Sequence, residues 1–308
     1  MNLIFNKLDL RWFKACCLIW LVFTVAGCRA IHPFAEKSRA GLATAKSWAN
    51  RGLEAFQCGH LSQAKGWFLK AANEDPGDFR MRANLARTFR QSGDLAEAIE
   101  QMSQAVELSR GDLELRIELG EMYLESGNWL TARRQAEIAL DARQNFGPAW
   151  LLLGKTDKSA GDHASALANY QRAIGHGFSD SDVQMELVDV YQKMNQPFRA
   201  LSTIEQMLSR YSGYDIPQEV LVSKSDILVQ LNQLEPAIEI LEQVVETDGN
   251  EQAYLKLAQA LSLAGKDSQA RLTLNEAKRL FPSNSDFDNQ ARSVSSGFEP
   301  RPDGVVAR

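Results

Sequence analysis

From residue 45 onward the chain repeats itself at a spacing of about 34 residues, and this recurrence constrains the fold more than any other feature. The clearest column is Ala64, Ala98, Ala132, Ala166, Ala200, Ala237 and Ala270. A second reads Gly59, Gly93, Gly127, Gly161, Asn195, Asn232 and Gly265, residue types that tolerate left-handed backbone at the end of a helix. A third lies four residues after the alanines, on the same helix face: Phe68, Met102, Ala136, Tyr170, Ile204, Leu241 and Leu274. A fourth is mostly small: Gly52, Ala86, Gly120, Gly154, Val188, Ser225 and Ala258. Together they predict a helix, a tight turn and a second helix, seven times over. The small column lets the two helices of a pair approach, and the larger columns fill the space between pairs. Asp94, Asn128 and Asp162 follow turn glycines and are placed to accept the free N–H groups opening the second helix; Glu97 then completes something close to a capping box. His60 takes the same capping position, and Pro197 and Pro236 fall near the starts of second helices, where a missing N–H costs little.

These columns resemble the tetratricopeptide (TPR) repeat, with its order of Trp, Leu-Gly, Tyr, Ala, Phe and a closing Pro. Trp48, Gly52, Ala64, Phe68, Ala71 and Pro76 match in the first repeat; Trp150, Leu153-Gly154, Ala166, Tyr170 and Ala173 match in the fourth. The resemblance implies an all-α fold, a right-handed α-solenoid of about seven helix-turn-helix repeats. In register they are 45–78, 79–112, 113–146, 147–180, 181–214, 218–250 and 251–284. Departures are also visible. The closing Pro survives only as Pro76 and Pro282, and Asp215 to Pro217 are inserted between the fifth and sixth repeats. Arg51 and Lys224 interrupt a column of Leu85, Leu119, Leu153, Leu187 and Leu257, which suggests a loosened contact at Lys224. Asp157 stands where Phe89, Tyr123 and Tyr191 stand, and is read as a solvated or Lys-paired carboxylate, the alternative being a buried one that reads a ligand.

The N-terminus has another character. Lys7, Arg11 and Lys14 precede an apolar run from Ala15 to Ala26, the layout of an export signal and too short for the about 20 residues of a membrane-spanning helix. Val25-Ala26-Gly27-Cys28 resembles the lipobox of bacterial lipoproteins, which implies a signal peptide over 1–27 and fatty acylation of Cys28; an ordinary signal peptide cut near Ala26 is the other reading. Residues 28–44 are then the lipidated N-terminus and tether. Cleavage would remove Lys7, Arg11, Lys14 and Asp9, taking the net charge from -5 to -7, and would leave Cys58 as the one unacylated cysteine. No intramolecular disulfide is then available. Residues 285–308 are expected to form a short capping helix and a disordered tail.

An acidic chain with pI near 5.5 has no surplus of positive charge for phosphates, so nucleic acid is not an expected partner. His32, His60, His163 and His176 make no metal-ligand spacing, and no catalytic constellation appears, so neither cofactor nor enzymatic activity is expected. Gly41 to Ser47 has the outline of a phosphate-binding loop but lacks the Gly before Lys46, and the first repeat claims it as a helix start.

The resemblance implies that the first helix of each pair lines the inner face. That face carries Arg80, Arg87 and Arg90 in the second repeat and Glu114, Glu121 and Glu125 in the third. Lys155 and Lys158 follow in the fourth, then Asp182, Asp189, Glu219 and Asp226 in the fifth and sixth. Two readings stand: a charge-patterned groove for a peptide or helix, or adjacent bands that pair with each other or are solvated. The expected role is a membrane-tethered scaffold for other proteins of the bacterial envelope, facing the periplasm. Its finer version follows from a resemblance to TPR lipoproteins of pilus or secretion-machine assembly. The alternative is an accessory subunit of an envelope polysaccharide or cell-wall enzyme complex, with aromatic groove residues favouring a glycan.

Overall fold

The computed structural model describes residues 41–211 and 216–282. The expected signal peptide, Cys28, Asp215, and the expected cap and tail therefore lie outside the described residues. Fourteen helices and no strand occur among them, arranged as two compact bodies, one ending at Ala142 and the other beginning at Arg143. The fold is an all-α helical repeat.

The first body contains α1 (41–57), α2 (Leu61–Glu74), α3 (Phe79–Gln91), α4 (Leu95–Leu108), α5 (Leu113–Glu125) and α6 (Trp129–Ala142). The second contains α7 (Gly147–Ser159), α8 (His163–Gly175), α9 (Ser181–Lys193), α10 (Pro197–Leu208), α11 (Gln218–Gln230), α12 (Leu234–Asp248), α13 (Glu251–Leu263) and α14 (Asp267–Leu280). Odd helices open repeats and even helices close them. Residues 41–44, expected to belong to the tether, are already helical, and so is the whole of Gly41 to Ser47.

Each expected turn residue is left-handed, with φ from 55° at Asn195 and Asn232 to 84° at Gly93. The conformation lets the following N–H reach back over the helix end: Asp94 donates to the Phe89 carbonyl at 2.9 Å and Gln196 to Tyr191 at 2.8 Å. The helix after the turn opens variously. Asp162 accepts from the Ser165 amide at 3.0 Å and Asn128 from Thr131 at 3.2 Å, as expected. Asp94 does not cap: its carboxylate takes the Lys65 ammonium and the Ser92 hydroxyl, each at 2.9 Å, so the capping box with Glu97 does not form. A cation within reach makes the stronger bond. His60 stands at the cap of α2 but makes no capping bond.

The small and large columns fit each other within a pair. A Cβ on Gly52 would lie 2.6 Å from the Phe68 ring, and one on Gly154 would lie 2.3 Å from the Tyr170 ring. Both rings are fully buried. They also reach the next pair: Phe68 packs with Leu85, and Tyr170 with Val183 and Leu187. Burying a ring of this size stabilises by about 1.5–3 kcal/mol, and the stabilisation depends on the missing Cβ opposite. At the joint expected to be loosened, Lys224 is half-buried. Val220 and Ile227 beside it are buried with Val188, Ala200, Ile204 and Met207 in one cluster.

Candidate functional site

The charged residues of the first-helix row lie on α3, α5, α7, α9 and α11, and most meet a partner one helix along the row. Arg87 on α3 grips Glu118 on α5 with two parallel bonds, Nε to Oε2 at 2.8 Å and Nη2 to Oε1 at 2.6 Å. Arg90 pairs with Glu125 and lies 3.8 Å from Glu121. Arg80 turns back to Asp78, the residue capping its own helix, through Nε at 2.8 Å and Nη2 at 2.6 Å. Glu114 is exposed at the start of α5.

In the second body Lys158 on α7 lies 2.6 Å from Glu186 and 2.8 Å from Asp189, both on α9, and Lys193 adds a contact of 3.0 Å to Asp189. Asp226 on α11 pairs with Lys256 on α13. Lys155 is half-buried on α7, and Asp182 and Glu219 are exposed at the starts of α9 and α11. Bands expected to alternate along the row are thus stitched together within each body.

The protonation equilibria follow from these contacts. The hydrogen bond to Glu118 raises the pKa of Arg87 against the opposing effect of burial. Burial alone would lower Lys158, but Asp189 and Glu186 together outweigh it and raise it. Burial alone would raise Asp189; Lys158 and Lys193 instead hold its carboxyl below the ordinary range. Each charge is kept by its neighbour.

Asp157 corrects the expectation of a solvated or Lys-paired carboxylate. It is 2% exposed and accepts a bond of 2.7 Å from Nδ2 of Asn169, itself buried. Asn169 in turn accepts from Arg172 at 3.1 Å. Nearby, the Tyr170 hydroxyl donates to Glu186 at 2.9 Å. Burial, followed by the Glu186 carboxylate, pushes that phenol far above its usual pKa, so it stays a neutral donor.

Sequence reasoning missed Glu118 and Glu186 as partners. The signal was present: Arg87 and Glu118 are 31 residues apart, as are Lys158 and Asp189, while Asp226 and Lys256 are 30 apart. That is one repeat less about one helical turn. It brings adjacent first helices into reach.

Sequence reasoning also missed a polar cavity of about 380 Å³ in the second body, where α9, α11 and α13 supply Gln192, Lys193, Asp226, Gln230, Lys256 and Gln259. Val229, Leu241 and Ala260 add apolar lining. The side-chain amides of Gln192, Gln230 and Gln259 have no hydrogen-bond partner among the described residues. Each offers two donor hydrogens and an acceptor, the complement of an extended peptide backbone. Among the described residues there is no cluster of three or more metal-ligating side chains.

Tetratricopeptide repeat models match residues 50–112, 89–155 and 252–284, and the model described as tetratricopeptide repeat protein 21 ARM repeat matches 132–250. No curated protein matches the sequence. Among solved structures, the chain is similar to a tetratricopeptide repeat protein from Parabacteroides merdae, at 12% identity and a TM-score of 0.63 over 82% of this chain and 99% of that one. It is also similar to the APC/C hetero-tetramer Cut9-Hcn1, at 16% identity and a TM-score of 0.53, over 82% of this chain and 43% of that one. At such identities the likeness is one of fold.

Proposed function

We propose that this chain, an array of tetratricopeptide repeats, is a non-catalytic scaffold tethered to a bacterial envelope membrane by a fatty-acylated Cys28. A peptide segment of a partner protein docks on its first-helix row. The observation that carries the docking is the cavity between α9, α11 and α13, where three unpaired glutamine amides stand beside the Asp226–Lys256 pair. The amides take the partner's backbone. Exposed charges of the row in the same body, Asp182 and Glu219, set its register by electrostatic fit. Stitched charges hold the first helices in place within each body: Arg87, Arg90, Glu121 and Glu125 in the first, Lys158 and Asp189 in the second. No aromatic side chain lines the cavity, so a sugar ring has nothing there to stack on, which favours a protein over a glycan. The finer version of the proposal is a role in pilus or secretion-machine assembly.

The tether is supported by the lipobox-like Val25 to Cys28 behind its basic and apolar lead. Among the described residues no helix is long and apolar enough to cross a membrane. Two experiments test the two halves. Cys28→Ala should abolish incorporation of labelled fatty acid, and continued labelling contradicts the anchor. A photocrosslinker at position 230 in cells should capture a defined envelope protein, with capture lost in Gln192→Ala/Gln259→Ala. Undiminished capture in that variant places docking elsewhere.

A further inference from the structure

The first repeat gathers two indoles and two cations without acidic partners. Lys70 Nζ on α2 lies 4.4 Å from the Trp67 ring centroid and 5.5 Å from that of Trp48 on α1. The Arg51 guanidinium lies 5.2 Å from the Trp67 centroid. Arg51 and Lys70 are exposed, and neither has a carboxylate within ion-pair distance among the described residues, unlike Arg87, Arg90, Lys158 and Lys256. Leu69, beside Lys70, is 46% exposed.

This combination has a specific chemistry. Indoles suit the layer between hydrocarbon and water, where the ring is buried and its N–H remains wet, while ammonium and guanidinium groups pair with lipid phosphates. Charge complementarity singles out this repeat. Helices α1 and α2 carry Lys46, Arg51 and Lys70, with Lys65 held by Asp94, against Glu54 and Glu74, whereas α12 exposes Glu239, Glu242 and Glu246 and has no basic residue. The chain ahead of α1 also fits. Only 12 residues lie between Cys28 and Gly41, a reach of at most about 45 Å, and they include Arg29, Lys37 and Arg39 against Glu36.

We propose that Trp48, Arg51, Trp67 and Lys70 form a face that docks the first repeat on the anionic phospholipid headgroups of the membrane holding Cys28. The inference rests on the lipid anchor proposed above and adds a second, electrostatic attachment to it. A lipid on Cys28 holds only the end of the tether, so an attachment on the first repeat is what keeps the array itself close to the surface.

The test uses the full lipidated chain reconstituted in vesicles of phosphatidylethanolamine and phosphatidylglycerol with brominated acyl chains, which quench nearby indoles. Tryptophan fluorescence should be quenched, and Trp48→Phe/Trp67→Phe should remove the quenched component. Arg51→Gln/Lys70→Gln should lower the docked-to-undocked ratio by roughly 25-fold, at about fivefold per cation, with the helical circular dichroism and vesicle flotation unchanged. Absent quenching, equal quenching in phosphatidylcholine vesicles, or quenching untouched by the charge change overturns the proposal. Fatty-acid labelling of Cys28 is read separately: labelling without quenching sinks the docking and leaves the anchor standing. If labelling fails, mixing the unlipidated chain with the same vesicles reads the docking by itself.

Discussion

The second and third repeats are joined by arginines and the fourth and fifth by a lysine, and the difference reaches well below the surface. In the first joint Arg87 and Glu118 form a clasp whose side chains are 39% and 28% exposed, over an apolar contact that includes Phe89 and Tyr123. In the second, Lys158 is 21% exposed and shared between Glu186 and Asp189, while Tyr170 reaches the same Glu186. The column position of Phe89 is there Asp157, buried and closed by Asn169. One joint is an apolar core with ions at its rim. The other carries polar groups inside, so removing one member strands another.

This contrast can be broken by mutation, and equilibrium unfolding of the full chain measures each case. The largest loss is expected for Tyr170→Ala, about 3–5 kcal/mol, because it empties a fully buried site and frees Glu186 of its donor. Next comes Gly154→Ala, which forces a Cβ to within 2.3 Å of the Tyr170 ring and should cost about 1–3 kcal/mol. Its counterpart Ala86→Gly relieves no clash and should cost only about 0.5–1 kcal/mol through backbone freedom. Asp157→Ala leaves the Asn169 amide without its acceptor and should cost about 1–3 kcal/mol. Glu118→Gln in the first joint should cost about 0–1 kcal/mol, and high salt should erase most of that. Equal losses for Asp157→Ala and Glu118→Gln would remove the distinction.

The smallest effect is in the pH dependence. Asp189 has a folded pKa below its ordinary value of 3.8, so its stabilisation is complete above that value and is lost as pH falls through the lowered pKa. Lys158 is raised above 10.5, so its share is present below that value and lost as pH rises through the raised pKa. With Asp189 40% exposed the acid-side change should stay below about 1 kcal/mol, and Asp189→Asn should flatten it. A wild-type acid limb identical to that of the variant would remove Asp189 from the joint.

The sequence made the fold legible because its strongest signals are steric and local. A left-handed turn admits few residue types, and seven in register leave little choice of architecture. The clash distances at Gly52 and Gly154 show the fourth column to be constrained where a ring lies opposite, while Val188 stands in it where the larger column has Ile204. Asp112, Asp180 and Asn250 cap first helices and were equally readable, each accepting an amide from two or three residues ahead, but the turn glycines drew attention to second helices instead. The site was less legible. Which charges pair depends on the offset between neighbouring helices, and Asp94 shows how a cation from another helix overrides a local cap. Asp157 was misread because burial of a carboxylate is costly in general and becomes tolerable only once Asn169 supplies a donor 12 residues away. The glutamines of the cavity carry no pattern at all; only the assembled row brings them side by side.

The most direct measurement is hydrogen–deuterium exchange of the full chain in isolated envelopes, compared with the same chain purified away from them. Docking on the first-helix row predicts added protection in α9, α11 and α13, with α10, α12 and α14 unchanged. Protection gained on the even helices instead, or on none, would contradict it.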